Sequence, residues 1–155
     1  MANEPDEGDG DPQAKAAPWS RLDLAAHFHP ELDPSWGLFR DGHYDEAVRK
    51  ASQRFINRVQ GLVDRPDLDG AGLIEKTFSS QSPLLAFNDR ATPTQRDEHD
   101  GYRFLAAGLT RALRNVLSHV DDYGLGETSA FEWLVFISAM HRRLDRAEQV
   151  TGRGA

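Results

Sequence analysis

Residues 105–120 read LAAGLTRALRNVLSHV. The apolar residues that recur here at three- and four-residue spacing are Leu105, Leu109, Leu113, Val116, Leu117 and Val120. Because residues three or four apart lie on the same side of an α-helix, this spacing predicts a helix with one apolar face. The quoted stretch is therefore expected to pack against the rest of the protein on that face and to display its polar residues on the other.

The same kind of periodicity extends outward along the chain. We predict helices over residues 20–29, 44–64, 73–78, 97–118 and 129–148. Pro30 and Pro34 are expected to end the first of these, and Pro66 to follow the second. No segment shows a convincing strand pattern, a short repeat or a Gly-rich phosphate loop. The sequence therefore predicts an all-α bundle of about five helices.

Two further features concern the second half of the chain. Residues 79–96 contain Pro83 and Pro93 without periodicity, which predicts an unusually long loop. Ser129-x-x-Glu132 matches a capping box that would open the last helix. Residues 130–140 are apolar nearly all round, so this helix either lies centrally in the bundle or packs one face against another protomer.

The composition limits the class of protein. The chain has 155 residues, a formal net charge of −7 and no cysteine, which excludes disulfides, thiolate zinc sites and cysteine nucleophiles. Much of the acidic excess lies in residues 1–18, which we predict to be a disordered tail ahead of a helical domain over residues 20–150. No apolar run is long enough to span a bilayer and no secretory signal is evident, so we expect a cytoplasmic protein without a membrane partner.

Arg114, Asn115 and His119 form the pattern Arg-Asn-x-x-x-His, whose residue types suit chemistry on a phosphodiester. Arginine offers a forked cation for phosphate oxygens, and histidine exchanges protons near neutral pH. On a straight helix Arg114 and His119 lie about 140° apart. We expect that the helix unwinds before His119, that a second copy of the chain completes the site, or both. On spacing alone, the simpler interpretation is two cations on a solvent-facing helix near its C-terminal end.

Other polar residues are weaker candidates. Arg111 and Ser118, which share a flank of the helix with Arg114, are candidates for substrate contact, as are His43 and Tyr102. A capping or packing role is the preferred explanation of His43, and core packing explains Tyr102 equally well. A local cationic patch could form from Arg103, Arg111, Arg114, Arg142 and Arg143. His27 and His29 lack a third ligand at helical spacing, so we predict neither a zinc site nor any cofactor.

A family resemblance covers residues 36–148. It rests on ordered blocks: Asp41-Gly-His-Tyr-Asp-Glu-Ala-Val48, Asp69-Gly-Ala-Gly-Leu-Ile74, Gly101-Tyr-Arg-Phe-Leu-Ala-Ala-Gly108, Arg114-Asn115, His119 and Leu144-Asp-Arg-Ala147. In these blocks the chain resembles the Ymh-type bacterial family, whose members are mostly uncharacterised. More broadly, the Arg-polar-x-x-x-His pattern on a late helix of an all-α bundle resembles the HEPN superfamily. The family tends to have proline directly after Arg-Asn, where this chain has Val116.

The resemblance implies an HEPN-like bundle with metal-independent endoribonuclease activity in toxin–antitoxin or anti-phage defence. It implies a homodimer that cleaves RNA through Arg114, Asn115 and His119 and that associates with an antitoxin or a defence-complex protein. The alternative is a non-catalytic HEPN module that binds a protein partner or a nucleotide. A further alternative is an oligomeric regulatory domain of a larger defence complex.

Overall fold

The computed structural model describes residues 24–151. The predicted disordered tail, residues 1–18, and the beginning of the predicted first helix lie outside the described residues. Within residues 24–151 every regular element is helical and no strand occurs, so the prediction of an all-α fold is confirmed.

Six α-helical stretches make up this part of the chain. They are α1 (Asp33–Arg40), α2 (Tyr44–Val63), α3 (Gly70–Thr77), α4 (Pro93–Leu109), α5 (Val116–His119) and α6 (Glu127–Thr151). A π-helical segment, Thr110–Asn115, joins α4 to α5 without a break. We call this continuous unit of α4, the π segment and α5 the rod. Counted with the rod as one body, the described chain has five helical bodies, which agrees with the predicted number, although α1 stands in place of the first predicted helix.

The helix α1 differs from the sequence-based prediction, in which Pro30 and Pro34 end a helix. Pro30 instead opens a short 3-10 turn, Pro30–Leu32, and Pro34 lies in the first turn of α1. Proline is well tolerated there, since the first backbone N–H groups of a helix have no partner within it. The predicted helix over residues 20–29 is corrected too: its described part holds only the 3-10 turn Ala25–His27.

The helix α2 packs against α1, α3, α6 and the π segment, and so forms the centre of the bundle. Its buried residues are Ala47, Val48, Ala51, Ser52, Phe55, Ile56 and Val59. They recur at helical spacing, which explains why this helix was predicted nearly to the residue. Asp64 follows the helix in the left-handed conformation, with φ of 48°.

The predicted long loop exists but is shorter, because α4 begins at Pro93 and not at residue 97. Thr92 accepts a hydrogen bond from the Gln95 backbone N–H, and the Gln95 side chain accepts one from the Thr92 N–H, at 3.2 and 3.1 Å. This capping box starts the helix early. The loop is anchored to the core by Phe87, which stacks on Phe78 with ring centroids 4.3 Å apart.

The rod does not bury one continuous apolar face. Leu109, Leu113 and Leu117 are buried, but Leu105 and Val120, assigned to the same face from the sequence, are 46% and 42% exposed. The predicted single face is therefore wrong at both ends. The π segment changes the helical register between α4 and α5, which the periodicity could not reveal.

The last helix, α6, begins at Glu127, so Ser129 lies inside its first turn and the predicted capping box is wrong. Leu134, Ile137 and Met140 are buried against the bundle, whereas Trp133 and Val135 are exposed. Its apolar surface is thus only partly covered within one chain. Among the described helices, none combines the length and apolar character that crossing a membrane requires.

Candidate functional site

The candidate site lies at the C-terminal end of the rod. Arg114 and Asn115 belong to the π segment, and His119 is the last residue of α5, after which Val120 is extended. The expected unwinding before His119 does not occur: the helix is widened up to Asn115 and is α-helical from Val116 onward. Val116, in the place of the family's proline, donates its N–H to the Leu113 carbonyl at this transition. With no unwinding between them, Arg114 and His119 lie five residues apart on a continuous helical rod, so they do not face each other and project from different sides.

The guanidinium of Arg114 is held by three acceptors. Nη2 donates to Asp69 Oδ2 at 2.7 Å, Nε donates to Gln53 Oε1 at 2.9 Å, and Nη1 donates to Asn115 Oδ1 at 3.1 Å. Asp69 precedes α3 and Gln53 lies on α2, so three parts of the fold meet at this side chain. The Arg114 side chain is 23% exposed and therefore remains accessible from solvent.

Asn115 and Ser118 lie beside Arg114 and both contact it, Asn115 at the guanidinium and Ser118 at the backbone. The Asn115 carbonyl oxygen faces Arg114, so its contact in the described chain is with the arginine rather than with His119. The Ser118 hydroxyl donates to the Arg114 carbonyl at 2.5 Å, a local bond across one turn of the rod.

His119 is exposed, and within the described residues its ring has no hydrogen bond or ion pair. The groove beside it is acidic. It has a volume of about 340 Å³ and is lined by Asp45, Glu46, Arg49, Leu117, Ser118, Val120 and Asp121. Asp45 also holds the loop that follows the rod, because its carboxylate accepts from the Gly124 and Leu125 N–H groups, both at 2.8 Å. The carboxylates of this groove disfavour a phosphate on this side of the rod.

The remaining predicted residues do not converge on Arg114. Arg111 is exposed on the π segment and makes no ion pair within residues 24–151. His43 directly precedes α2, is exposed, and makes no side-chain capping bond. Tyr102 packs against Phe87 with ring centroids 5.4 Å apart, about 18 Å along the rod from Arg114.

The predicted cationic patch is largely neutralised. Arg103 pairs with Glu75 at 2.8 Å, Arg143 with Glu98 at 2.7 Å, and Arg114 with Asp69. Arg143 also lies over the Tyr102 ring, 4.4 Å from its centroid, and Arg142 donates to the His27 carbonyl. These contacts tie helices together, so most of these arginines are not available to an RNA backbone without rearrangement.

A buried polar cluster that sequence reasoning missed ties the N-terminal segment to α2 and α6. His29 Nε2 donates to Asp145 Oδ2 at 3.1 Å, and Arg58 donates to Asp145 Oδ1 and, at 3.2 Å, to the His141 carbonyl. The His29 and His141 rings stack. Of these residues only Asp145 lies in a block that carried the family resemblance, and no spacing linked it to His29 or Arg58.

The ionisable groups of this cluster are perturbed. Burial, together with the charges of His29 and Arg58, lowers the pKa of His141 to about 3. For Asp145, partial burial raises the pKa, but the hydrogen bonds and charges of Arg58 and His29 outweigh it and leave the pKa below its ordinary value. Among residues 24–151, no three histidine or acidic side chains are placed to hold a metal ion.

Comparisons with known proteins add a family assignment. Neither the search of curated proteins nor the search of solved structures gives a match. The profile of one family, described as a protein of unknown function (Hypoth_ymh), matches residues 26–144, which include α1, the rod and most of α6. The chain therefore belongs to the Hypoth_ymh family.

Proposed function

We propose that this protein is a metal-independent endoribonuclease of the HEPN type. The observation that carries the proposal is the contrast between two side chains of one rod. Arg114 is fixed by three acceptors and still reaches solvent, whereas His119 is exposed and has no partner among the described residues. A fixed cation can hold a phosphate, and an unpartnered histidine can move a proton.

The proposed reaction is cleavage of RNA by its own ribose 2′-hydroxyl. The 2′-oxygen attacks phosphorus and the bond from phosphorus to the 5′-oxygen breaks, which leaves 2′,3′-cyclic phosphate and 5′-hydroxyl ends. His119 would take the 2′-hydroxyl proton or supply one to the leaving 5′-oxygen. Arg114 would stabilise the charge that grows on the phosphoryl oxygens, and Asn115 would support Arg114 through its amide oxygen.

We propose a homodimer, because Arg114 and His119 of one chain project from different sides of the rod. An apolar groove offers a surface for the second copy. It is lined by Phe104, Leu105, Gly108, Leu109, Ala112, Leu113, Trp133 and Phe136, and is called the α4/α6 groove below. Phe104 is 63% exposed, which is unfavourable for an isolated chain.

A dimer would also supply a second His119. One histidine could then act as the base and the other as the acid in the same cleavage, which a single histidine can do only in successive steps. As the resemblance implies, we place this activity in toxin–antitoxin or anti-phage defence, where an antitoxin or another defence protein would restrain it.

The test is cleavage of defined RNA on a denaturing gel with chelator present. Wild-type protein is compared with Arg114→Ala, His119→Ala and the matched variant His43→Ala, which removes another exposed histidine near the rod. We expect His119→Ala to lose on the order of 10²-fold or more in rate. Arg114→Ala should be similarly impaired, and His43→Ala should cleave normally. Cleavage that needs a divalent metal, or that survives both rod substitutions, would contradict the proposal.

A second candidate is a non-catalytic HEPN module that binds a protein partner or a nucleotide. The observation in its favour is that Arg114 is already ion-paired and that the grooves near His119 are acidic. On this reading the α4/α6 groove would be covered by a different protein. An RNA-inactive wild type that forms a defined complex through this groove would support it.

A further inference from the structure

Asp69 has two carboxylate oxygens with two separate partners. Oδ1 accepts from the Gly70 N–H at 2.7 Å, and Oδ2 accepts from Arg114 Nη2 at 2.7 Å. The first contact belongs to the start of α3 and the second to the candidate site. One side chain therefore connects the beginning of a core helix to the guanidinium of Arg114.

Several contacts at the start of α3 hold the Asp69 carboxylate in place. Asp69 is the capping residue of α3, and its backbone carbonyl accepts from the Leu73 N–H at 3.3 Å. Gly70 is buried and has φ of 58°, a conformation that glycine adopts without strain. A Cβ at this position would lie 3.7 Å from Arg114 Nη1, so the backbone and the guanidinium are close neighbours.

Gln53 holds the guanidinium from another direction. Its Oε1 accepts from Arg114 Nε, and its amide donates to Asn57 Oδ1 at 2.7 Å on the same face of α2. Together with Asn115, these residues use three of the five N–H groups that an arginine carries. One N–H remains on each terminal nitrogen, and each can donate to a phosphate oxygen.

The contacts of Asp69 indicate whether this carboxylate positions Arg114 or occupies the place of a phosphate. A carboxylate standing in the place of a phosphate is expected to bind the arginine through both of its oxygens, in the bidentate form of many Arg–carboxylate pairs. Asp69 instead contacts one terminal nitrogen with one oxygen, because its other oxygen is bonded to Gly70. We propose that Asp69, together with Gln53, is a positioning residue that aims Arg114 at the scissile phosphate. This inference rests on the proposed ribonuclease function.

Asp69→Asn is the informative variant. The asparagine oxygen can still accept from the Gly70 N–H, while an NH₂ group replaces the oxygen that faces Arg114. Because a misplaced catalytic group costs on the order of 10²-fold in rate for a displacement of about 1 Å, we expect kcat on a defined RNA to fall at least tenfold. KM should change less than about twofold, since the lost contact serves the transition state.

Glu75→Gln is the matched control. It removes a carboxylate that pairs with an arginine, Arg103, from the same helix α3 but away from the site. We expect wild-type kcat in this variant. Should Asp69→Asn fail to fold, as judged by circular dichroism, Gln53→Leu tests the same positioning from α2 and should lower kcat without altering KM.

The outcomes separate this inference from the proposed function. A wild type that does not cleave RNA overturns both. If the wild type cleaves and His119→Ala does not, then unchanged kcat in Asp69→Asn overturns the positioning role alone. Faster cleavage by Asp69→Asn also overturns it, because the carboxylate would then compete with the phosphate. A selective fall in kcat with normal cleavage by Glu75→Gln supports it.

Discussion

The His29 and His141 rings stack inside the bundle, with centroids 5.0 Å apart and planes inclined by 16°. His141 lies on α6 and is fully buried, while His29 belongs to the segment that precedes α1. Each ring has a charged neighbour, since Asp145 accepts from His29 and Arg58 lies beside His141. The N-terminal segment is thus tied to the centre of the fold by a stacked histidine pair and its charged neighbours.

Stability should fall in mild acid because of His141. Its pKa is about 3 in the folded chain, lowered mainly by burial and further by the charges of His29, Arg58 and Arg54, with Asp145 opposing them. Below pH 6.5 His141 therefore binds a proton in the unfolded state but not in the folded state. The free energy of unfolding consequently decreases as the pH falls towards 3. We expect a loss of about 2 kcal/mol between pH 6.5 and 4.5 from this residue.

Urea unfolding at several pH values measures this loss. His141→Gln removes the titrating ring and should flatten the dependence of the free energy of unfolding on pH, even if the variant is less stable at pH 7. Burial also lowers the pKa of His99, so a smaller dependence should remain in the variant. Equal slopes for wild type and variant would show that His141 is not the group responsible.

Loss of the His99 side chain should destabilise the long loop before α4. Its Nδ1 accepts from the Phe87 N–H at 3.3 Å, and its Nε2 donates to the Phe78 carbonyl at 3.0 Å. His99→Leu leaves both buried backbone groups without a partner, at a cost of about 2–5 kcal/mol. Hydrogen exchange at Leu85 and Phe87 should accelerate. Thr92→Ala, which removes only the cap of α4, should cost about 1 kcal/mol, and the reverse order of stabilities would contradict this account.

The α4/α6 groove should control the oligomeric state. Phe104→Asp places a charge in an exposed apolar surface, so it should dissociate the proposed dimer without unfolding the chain. Leu84→Asp is the matched control, because Leu84 is another exposed apolar residue, 41% exposed, in the loop before α4. Light scattering after size exclusion should give a dimer for the wild type and Leu84→Asp, and a monomer for Phe104→Asp. A monomeric wild type would contradict the dimer.

The central helix could be predicted because its burial is periodic. Val48, Phe55 and Val59 are all fully buried, and that spacing is visible in the sequence. The helix α1 could not be predicted in the same way. It has 8 residues, and the prolines before it suggested an end where the structure has a beginning.

For the candidate site, residue type was more informative than spacing. The residue types of Arg114 and His119 indicated a candidate site for phosphodiester chemistry. The structure shows which groups surround each of these side chains. The contacts of Arg114 with Asp69 and Gln53 span 45 and 61 residues along the chain. Such pairings depend on how helices pack, and one sequence carries no local signal for them. The polar cluster of His29, His141 and Asp145 was missed for the same reason.

The π segment has a consequence for how this rod tolerates change. A wide turn shifts the phase of every residue after it relative to every residue before it. Leu109, before the π segment, and Leu117, after it, are therefore both buried, whereas Leu105 and Val120 are exposed. A π turn closes its hydrogen bonds one residue later than an α turn and so holds about one residue more. Deleting a single residue within Thr110–Asn115 would therefore let this segment become α-helical while α4 and α5 keep their relative orientation, whereas the same deletion within α4 would rotate the Arg-Asn-x-x-x-His pattern by about 100°. The length of α4 and α5 should therefore be more restricted than the length of the π segment between them.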